Sequence, residues 1–183
     1  AARSVSIAAE AAPTPAGGAP GVSVIGAGNY ASQVLLPALA ATGATLRVLV
    51  SAGGVSGVHA GRKRGFAATA TEADRALEDA ATAAVVIATR HDSHARYVVE
   101  ALQNRKHVFV EKPLAIRREQ VAEILAAWRS AQAGGFEAIV MPGFNRRFAP
   151  HVLRMKKLLS ARPEPKSLVM TVNAGAIPAD HWT

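Results

Sequence analysis

From Gly21 onward, short apolar runs alternate with longer amphipathic stretches. The runs 22–25, 46–50, 84–88, 107–110 and 138–141 are almost continuously apolar, which predicts strands buried on both faces. A short run at 66–68 adds a further candidate strand. Between them, helical spacing predicts helices over 30–41, 55–64, 72–79, 93–104 and 117–131. Pro37 falls inside the first and predicts an irregular helix there. Thr71 with Asp74 three residues on reads as a capping box, and Asp92 or Ser93 as the cap of the next helix. Strict alternation of this kind predicts an α/β fold with a doubly wound parallel sheet and right-handed crossovers.

The pattern changes after Gly143. A basic amphipathic helix over 150–160 leads through R-P-E-P-K into a new apolar run, 167–172. One helix and one strand cannot bury a core, so the reading is a domain over 21–144 followed by the truncated start of a second, α+β domain at 145–183. Residues 1–20 are rich in Ala, Pro and Gly, lack an initiator Met, and read as a linker with something preceding it.

Composition narrows the functional classes. Cysteine is absent, which excludes a disulfide framework, a thiolate metal site and a cysteine nucleophile, and fits a reducing, cytoplasmic setting. No apolar run reaches the length of a membrane span. The net charge of +8 is spread over small clusters (Arg62–Lys63–Arg64, Arg117–Arg118, Arg146–Arg147, Lys156–Lys157) in different elements, and only 5% of residues are aromatic. Nucleic-acid binding calls for one basic stripe with interleaved aromatics. A polyanionic cofactor, or an acidic remainder of the protein, accounts for the charge more simply. No His, Asp or Glu arrangement reads as a metal site.

The first strand ends in G-A-G-N-Y-A, Gly26 to Ala31, a form of the G-x-G-x-x-A fingerprint that makes this a Rossmann-type dinucleotide-binding domain. Gly26 permits the tight turn, and Gly28 lets backbone approach a pyrophosphate. Asn29 and Tyr30 open a helix whose free N–H groups favour phosphate. NAD enzymes place Asp or Glu at the end of the second strand for the ribose 2′-hydroxyl. Here Ser51 occupies that place, and no carboxylate occurs between Glu10 and Glu72. With Arg62, Lys63 and Arg64 nearby, the combination favours NADP over NAD. The other reading of those cations is an ordinary basic helix end.

The fourth and fifth strands run into A-T-R-H-D-S-H-A and F-V-E-K-P-L, at strand ends where open α/β sheets bind ligands. Taken with G-F-N-R-R-F, this set resembles the Gfo/Idh/MocA oxidoreductases, which include glucose-fructose oxidoreductase and inositol 2-dehydrogenase. The resemblance covers about 21–183. The terminal N-A-G-A-I-P-A-D-H-W resembles a subgroup fused behind a zinc-type alcohol-dehydrogenase-like module. The resemblance implies an oxidoreductase moving hydride between a nicotinamide and a sugar-like or polyol carbon, homo-oligomeric at full length. It implies that Lys112 polarises the substrate oxygen, that Glu111 orients or balances it, and that Pro113 follows a cis bond. Thr89 and His94 would line the nicotinamide half, and Arg146 would reach cofactor or substrate. A surface lysine, a strand-ending Thr89, a first-turn His94 and a basic hinge at Arg146 are the plain alternatives. His91 is left outside the site. The family's second-domain histidine has no match here, since His181 lies too early. The general base therefore falls outside this chain, and a non-catalytic nucleotide-binding module is the rival reading.

Overall fold

The computed structural model describes residues 3–7, 18–171, 173 and 175–176. Its contacts divide the chain into two units, Ala1–Phe144 and Asn145–Thr183. The first holds a seven-stranded sheet of order β1-β4-β3-β2-β5-β6-β7. The strands are β1 (Ser4–Ser6), β2 (Gly21–Ile25), β3 (Thr45–Val50), β4 (Ala68–Ala70), β5 (Ala84–Ile87), β6 (His107–Glu111) and β7 (Val140–Gly143). All neighbours pair in parallel except β1, which runs antiparallel to β4.

The helices divide between the two faces because strand side chains alternate. Val24 of β2 and Leu46 and Leu49 of β3 cluster with Leu36 of α1 (Leu36–Ala40) and with Phe66 at the end of α2 (Gly54–Arg64). Ile25, Val48, Val50, Val85, Ile87, Val108 and Val110 cluster on the other face. They meet Leu77 of α3 (Asp74–Leu77), Val98 and Leu102 of α4 (His94–Gln103), and Ile124 of α5 (Arg118–Ala133). Ser23 is polar inside this core and explains an irregularity. The β2–β3 register shifts between Val22 and Val24. There the Val48 amide donates to the Ser23 hydroxyl, which also bonds Thr82 Oγ1 at 2.7 Å.

Several elements depart from the pattern-based expectations. The segment 1–20 is not all linker, since Ser4–Ser6 forms an edge strand and the Ile7 amide donates to Ala67 O. The alternating S-V-S-I carried that signal beneath an Ala/Pro-rich composition. The predicted 66–68 strand begins two residues later, because the Phe66 amide donates back to Gly61 O and closes α2. The capping box at Thr71 does not form. Thr71 Oγ1 donates to Arg3 O, and α3 begins only at Asp74. Ser93 does not cap α4 either, for its hydroxyl donates to Thr89 Oγ1 and Arg90 O. The first helix is irregular, as Pro37 predicts: a π-helical turn over Ala31–Leu35 precedes α1.

The second unit contains a 3₁₀ turn at Asn145–Phe148 and α6 (Pro150–Leu159). Of the predicted strand 167–172, residues 167–171 are described and form no strand. Their exposed amides and carbonyls find no ladder partner among the described residues, and an apolar run alone makes no strand. Val172 and His181 lie outside the described residues.

Candidate functional site

Six parallel strands end along one rim, and the two glycines of the β2 turn stand there for different reasons. Gly26 has φ +108°, and a Cβ at this position would sit 2.4 Å from Ala88 O. The turn itself therefore demands glycine. At Gly28 a Cβ would meet no protein atom within 4 Å. Nothing in the fold asks for glycine at this position, and the open space beside its backbone is room in which a pyrophosphate could lie. The Ser32 amide and hydroxyl close onto Gly28 O and Ala27 O, which ties down the loop carbonyls. The first N–H groups of the helix, from Asn29 and the exposed Tyr30, lie at an end that favours anions. The fingerprint thus fits a dinucleotide phosphate on this structure's own geometry.

Ser51 stands at the end of β3, its amide donating to Ala70 O. No acidic residue occupies the first turn of α2. The cations read with Ser51 are elsewhere. Arg62, Lys63 and Arg64 form the last turn of α2, so Arg62 lies about 12 Å along the axis from Gly54, at roughly 1.5 Å per residue. A crossover helix runs back down the sheet, and its final turn faces the opposite edge. Arg62 is therefore separated from the rim and does not serve the Ser51 subsite.

The other half of the rim is built by the ends of β5 and β6. The Lys112–Pro113 peptide is cis, as the resemblance implied, and Lys112 is exposed beside it. Glu111 is the last residue of β6, and Lys112 follows the strand. Glu111 is buried, and its Oε2 accepts from the Lys112 backbone amide at 3.3 Å. No ion pair joins it to the Lys112 ammonium among the described residues, so the expected charge balance is replaced by a main-chain tether. Its Oε1 is buried without a hydrogen-bond partner among the described residues. Gly143 of β7 lies against that oxygen, and a Cβ there would come within 3.0 Å of it.

His94 does not open onto the rim. It is fully buried, with Nδ1 2.7 Å from Pro113 O and Nε2 3.1 Å from Thr89 O. Neutral imidazole can donate from only one ring nitrogen. The ring thus lies between the β5 and β6 loops, facing one main-chain carbonyl from each and donating to one of them in the neutral form. Sequence reasoning passed over His91. It follows Thr89 in the same loop, and its ring lies edge-on to His94 at 5.7 Å. Burial lowers its pKa from the ordinary value, the neighbouring His94 and Lys112 push the same way, and Asp92 opposes them. His91 thus shares the electrostatic environment of Lys112; the signal in the sequence was its place one loop position from Arg90. Arg146 is exposed in the 3₁₀ turn of the second unit. Among the described residues no three His, Asp or Glu side chains gather as a metal site, and no helix is long and apolar enough to cross a membrane.

A parallel sheet with a glycine turn at its centre strand is the architecture of a nucleotide-binding Rossmann domain. The family profile described as an oxidoreductase family with an NAD-binding Rossmann fold (GFO_IDH_MocA) matches residues 21–136, and the chain belongs to that family. It is 31% identical over 147 residues to inositol 2-dehydrogenase 2 of Saccharopolyspora erythraea, covering 74% of this chain and 42% of that protein. It is 35% identical over 107 residues to scyllo-inositol 2-dehydrogenase (NAD(+)) of Bacillus subtilis, covering 57% and 30% respectively. The apo scyllo-inositol dehydrogenase of Lactobacillus casei shares the fold with a TM-score of 0.71 at 21% identity, over 79% of this chain and 42% of that one. The chain thus spans less than half the length of these relatives.

Proposed function

We propose that this chain binds NADP or NAD across the rim and serves an oxidoreductase acting on a sugar-like or polyol CH–OH group. The observation that carries the reading is Gly28, a glycine whose missing side chain leaves space that no protein atom claims. When bound, the nicotinamide supplies the hydride chemistry. The chain's own groups supply position and electrostatics. Lys112 donates to the substrate oxygen and stabilises the charge that develops there. Glu111 holds the Lys112 amide, while His94 holds the carbonyl of Pro113, so the ammonium is presented from a loop fixed on both sides. Thr89 and His91 border the same place. We read NADP as the preferred cofactor, because Ser51 and the glycines after it carry no charge to repel a 2′-phosphate. We read 145–183 as the opening of a substrate domain.

Titration calorimetry with NADP⁺ and NAD⁺ tests this. Gly28→Val should abolish binding of both with circular dichroism unchanged. Unchanged binding would move the cofactor away from this turn. Lys112→Ala should leave binding intact and lower turnover of the full-length protein by about 10²-fold or more. Unchanged turnover would remove Lys112 from the chemistry, whereas a full-length protein that binds dinucleotide and turns over no such substrate would be a nucleotide-binding module.

A further inference from the structure

If the dinucleotide lies on this rim, the 2′-phosphate end still lacks a cation once Arg62 is removed from it. The hydrogen-bond ladder supplies one from an unexpected direction. The Gly26 amide donates to Val50 O, the Ser51 amide to Ala70 O and the Thr71 amide to Arg3 O, at 2.9, 2.9 and 3.0 Å. Each bond steps one strand outward, from β2 to β3 to β4 to β1. Gly26, Ser51, Thr71 and Arg3 therefore stand in one row along the ligand-binding edge. Arg3 reaches that edge because β1 is antiparallel, with Ser4 opposite Ala70, so the start of β1 meets the end of β4. A parallel strand would have left it at the opposite edge.

We propose that Arg3, carried to the rim by β1, is the residue that recognises the 2′-phosphate of NADP. The proposal deepens the cofactor reading above and rests on it. Two strand spacings, about 10 Å, separate the Arg3 and Ser51 backbones, a gap that an extended arginine and a phosphate ester together span. The Arg3 side chain is 77% exposed, and its Nη1 donates to Glu72 Oε1 at 2.7 Å. A guanidinium has five N–H donors in a planar fork, so Glu72 can hold it while another edge meets phosphate oxygens. Thr71 and Gly54 line the interval, with a Gly54 Cβ position 3.8 Å from the Thr71 methyl. The small residues Ala52, Gly53 and Gly54 keep the approach open.

The test is calorimetry of the full chain with NADP⁺, NAD⁺, adenosine 2′,5′-bisphosphate and 5′-AMP. The native chain should favour the two 2′-phosphorylated ligands. Arg3→Ala and Arg3→Gln should weaken both by about tenfold or more, the strength of a charge-assisted contact, and leave NAD⁺ and 5′-AMP within about twofold. Arg3→Lys should keep part of the preference. Hydrogen exchange at the Thr71 amide shows whether β1 stays docked in each variant, since that bond uses only the Arg3 backbone. The proposal is overturned if docked Arg3 variants keep the NADP⁺ to NAD⁺ ratio. Tighter binding of NAD⁺ by the native chain also overturns it. Binding of neither dinucleotide overturns the cofactor reading and this proposal with it.

Discussion

Among single residues, His94 has a role set by what encloses it. Its ring has no exposed surface and meets two main-chain carbonyls from two different loops. His94→Ala would leave a cavity and strip a buried carbonyl of its donor, costing about 3 kcal/mol of stability. Urea unfolding should show this, and dinucleotide affinity should fall because the Lys112 loop loses its anchor. Equal stability would mean that water replaces the ring without penalty. The sequence motif showed that His94 belongs near the site, yet not that it faces inward, because motif spacing carries no information on depth. Arg62 is the opposite case. Its position was legible, since a crossover helix must end at the edge where its strand began, but its proximity in sequence to Ser51 obscured that. Glu111 was placed correctly beside Lys112. Only the structure shows that it holds the Lys112 main-chain amide.

The loop between α3 and β5 shows how elements are joined at the edge away from the rim. Asp79 receives both Arg47 Nε and Nη2, at 3.0 and 3.1 Å, with Thr82 Oγ1 and the Ala81 amide. Lys106, from the α4–β6 loop, donates to the carbonyls of Asp79 and Thr82, and burial lowers its pKa. One cluster thus fastens two crossovers to β3. Burial works against the Asp79 carboxylate, and the bonds from Arg47, Thr82 and Ala81 outweigh it, so its pKa lies below the ordinary value. A carboxylate depressed in the folded state adds stability above its unfolded pKa of about 3.9 and loses it as pH falls through the folded value. Asp79→Asn should therefore destabilise by about 1–3 kcal/mol at pH 6, with the difference from the native chain shrinking towards pH 2. Thermal unfolding across that range measures it, and a constant difference would remove the carboxylate from the account. Patterning showed these strands but not this cluster, whose members lie in loops of no regular period.

For the whole molecule, the sheet and its two-sided core were legible because the central strands carry apolar residues towards both faces and so read as mostly apolar runs. The sixth parallel position, β7, begins later than its apolar run, because Ala138 O is taken by Trp128 Nε1. In the second unit, α6 was visible in amphipathic spacing, whereas 167–171 has the composition of a strand without a partner among the described residues. Brief trypsin digestion should cut first after Lys166, where the chain is exposed and outside any element, and leave a fragment that still binds dinucleotide. Early cleavage after Arg47, within β3, would contradict the compactness of the first unit.

Pairing β1 with β4 also sets an order of events during synthesis. Thr71 follows Arg3 by 68 residues. At about 5–20 residues per second, β1 waits roughly 3 to 14 s on a ribosome before its partner strand exists. During that interval the pyrophosphate turn and β3 can already be complete. The segment made earlier is thus installed later, so on the two readings proposed above nascent chains would acquire a grip on phosphate before any power to tell one dinucleotide from another.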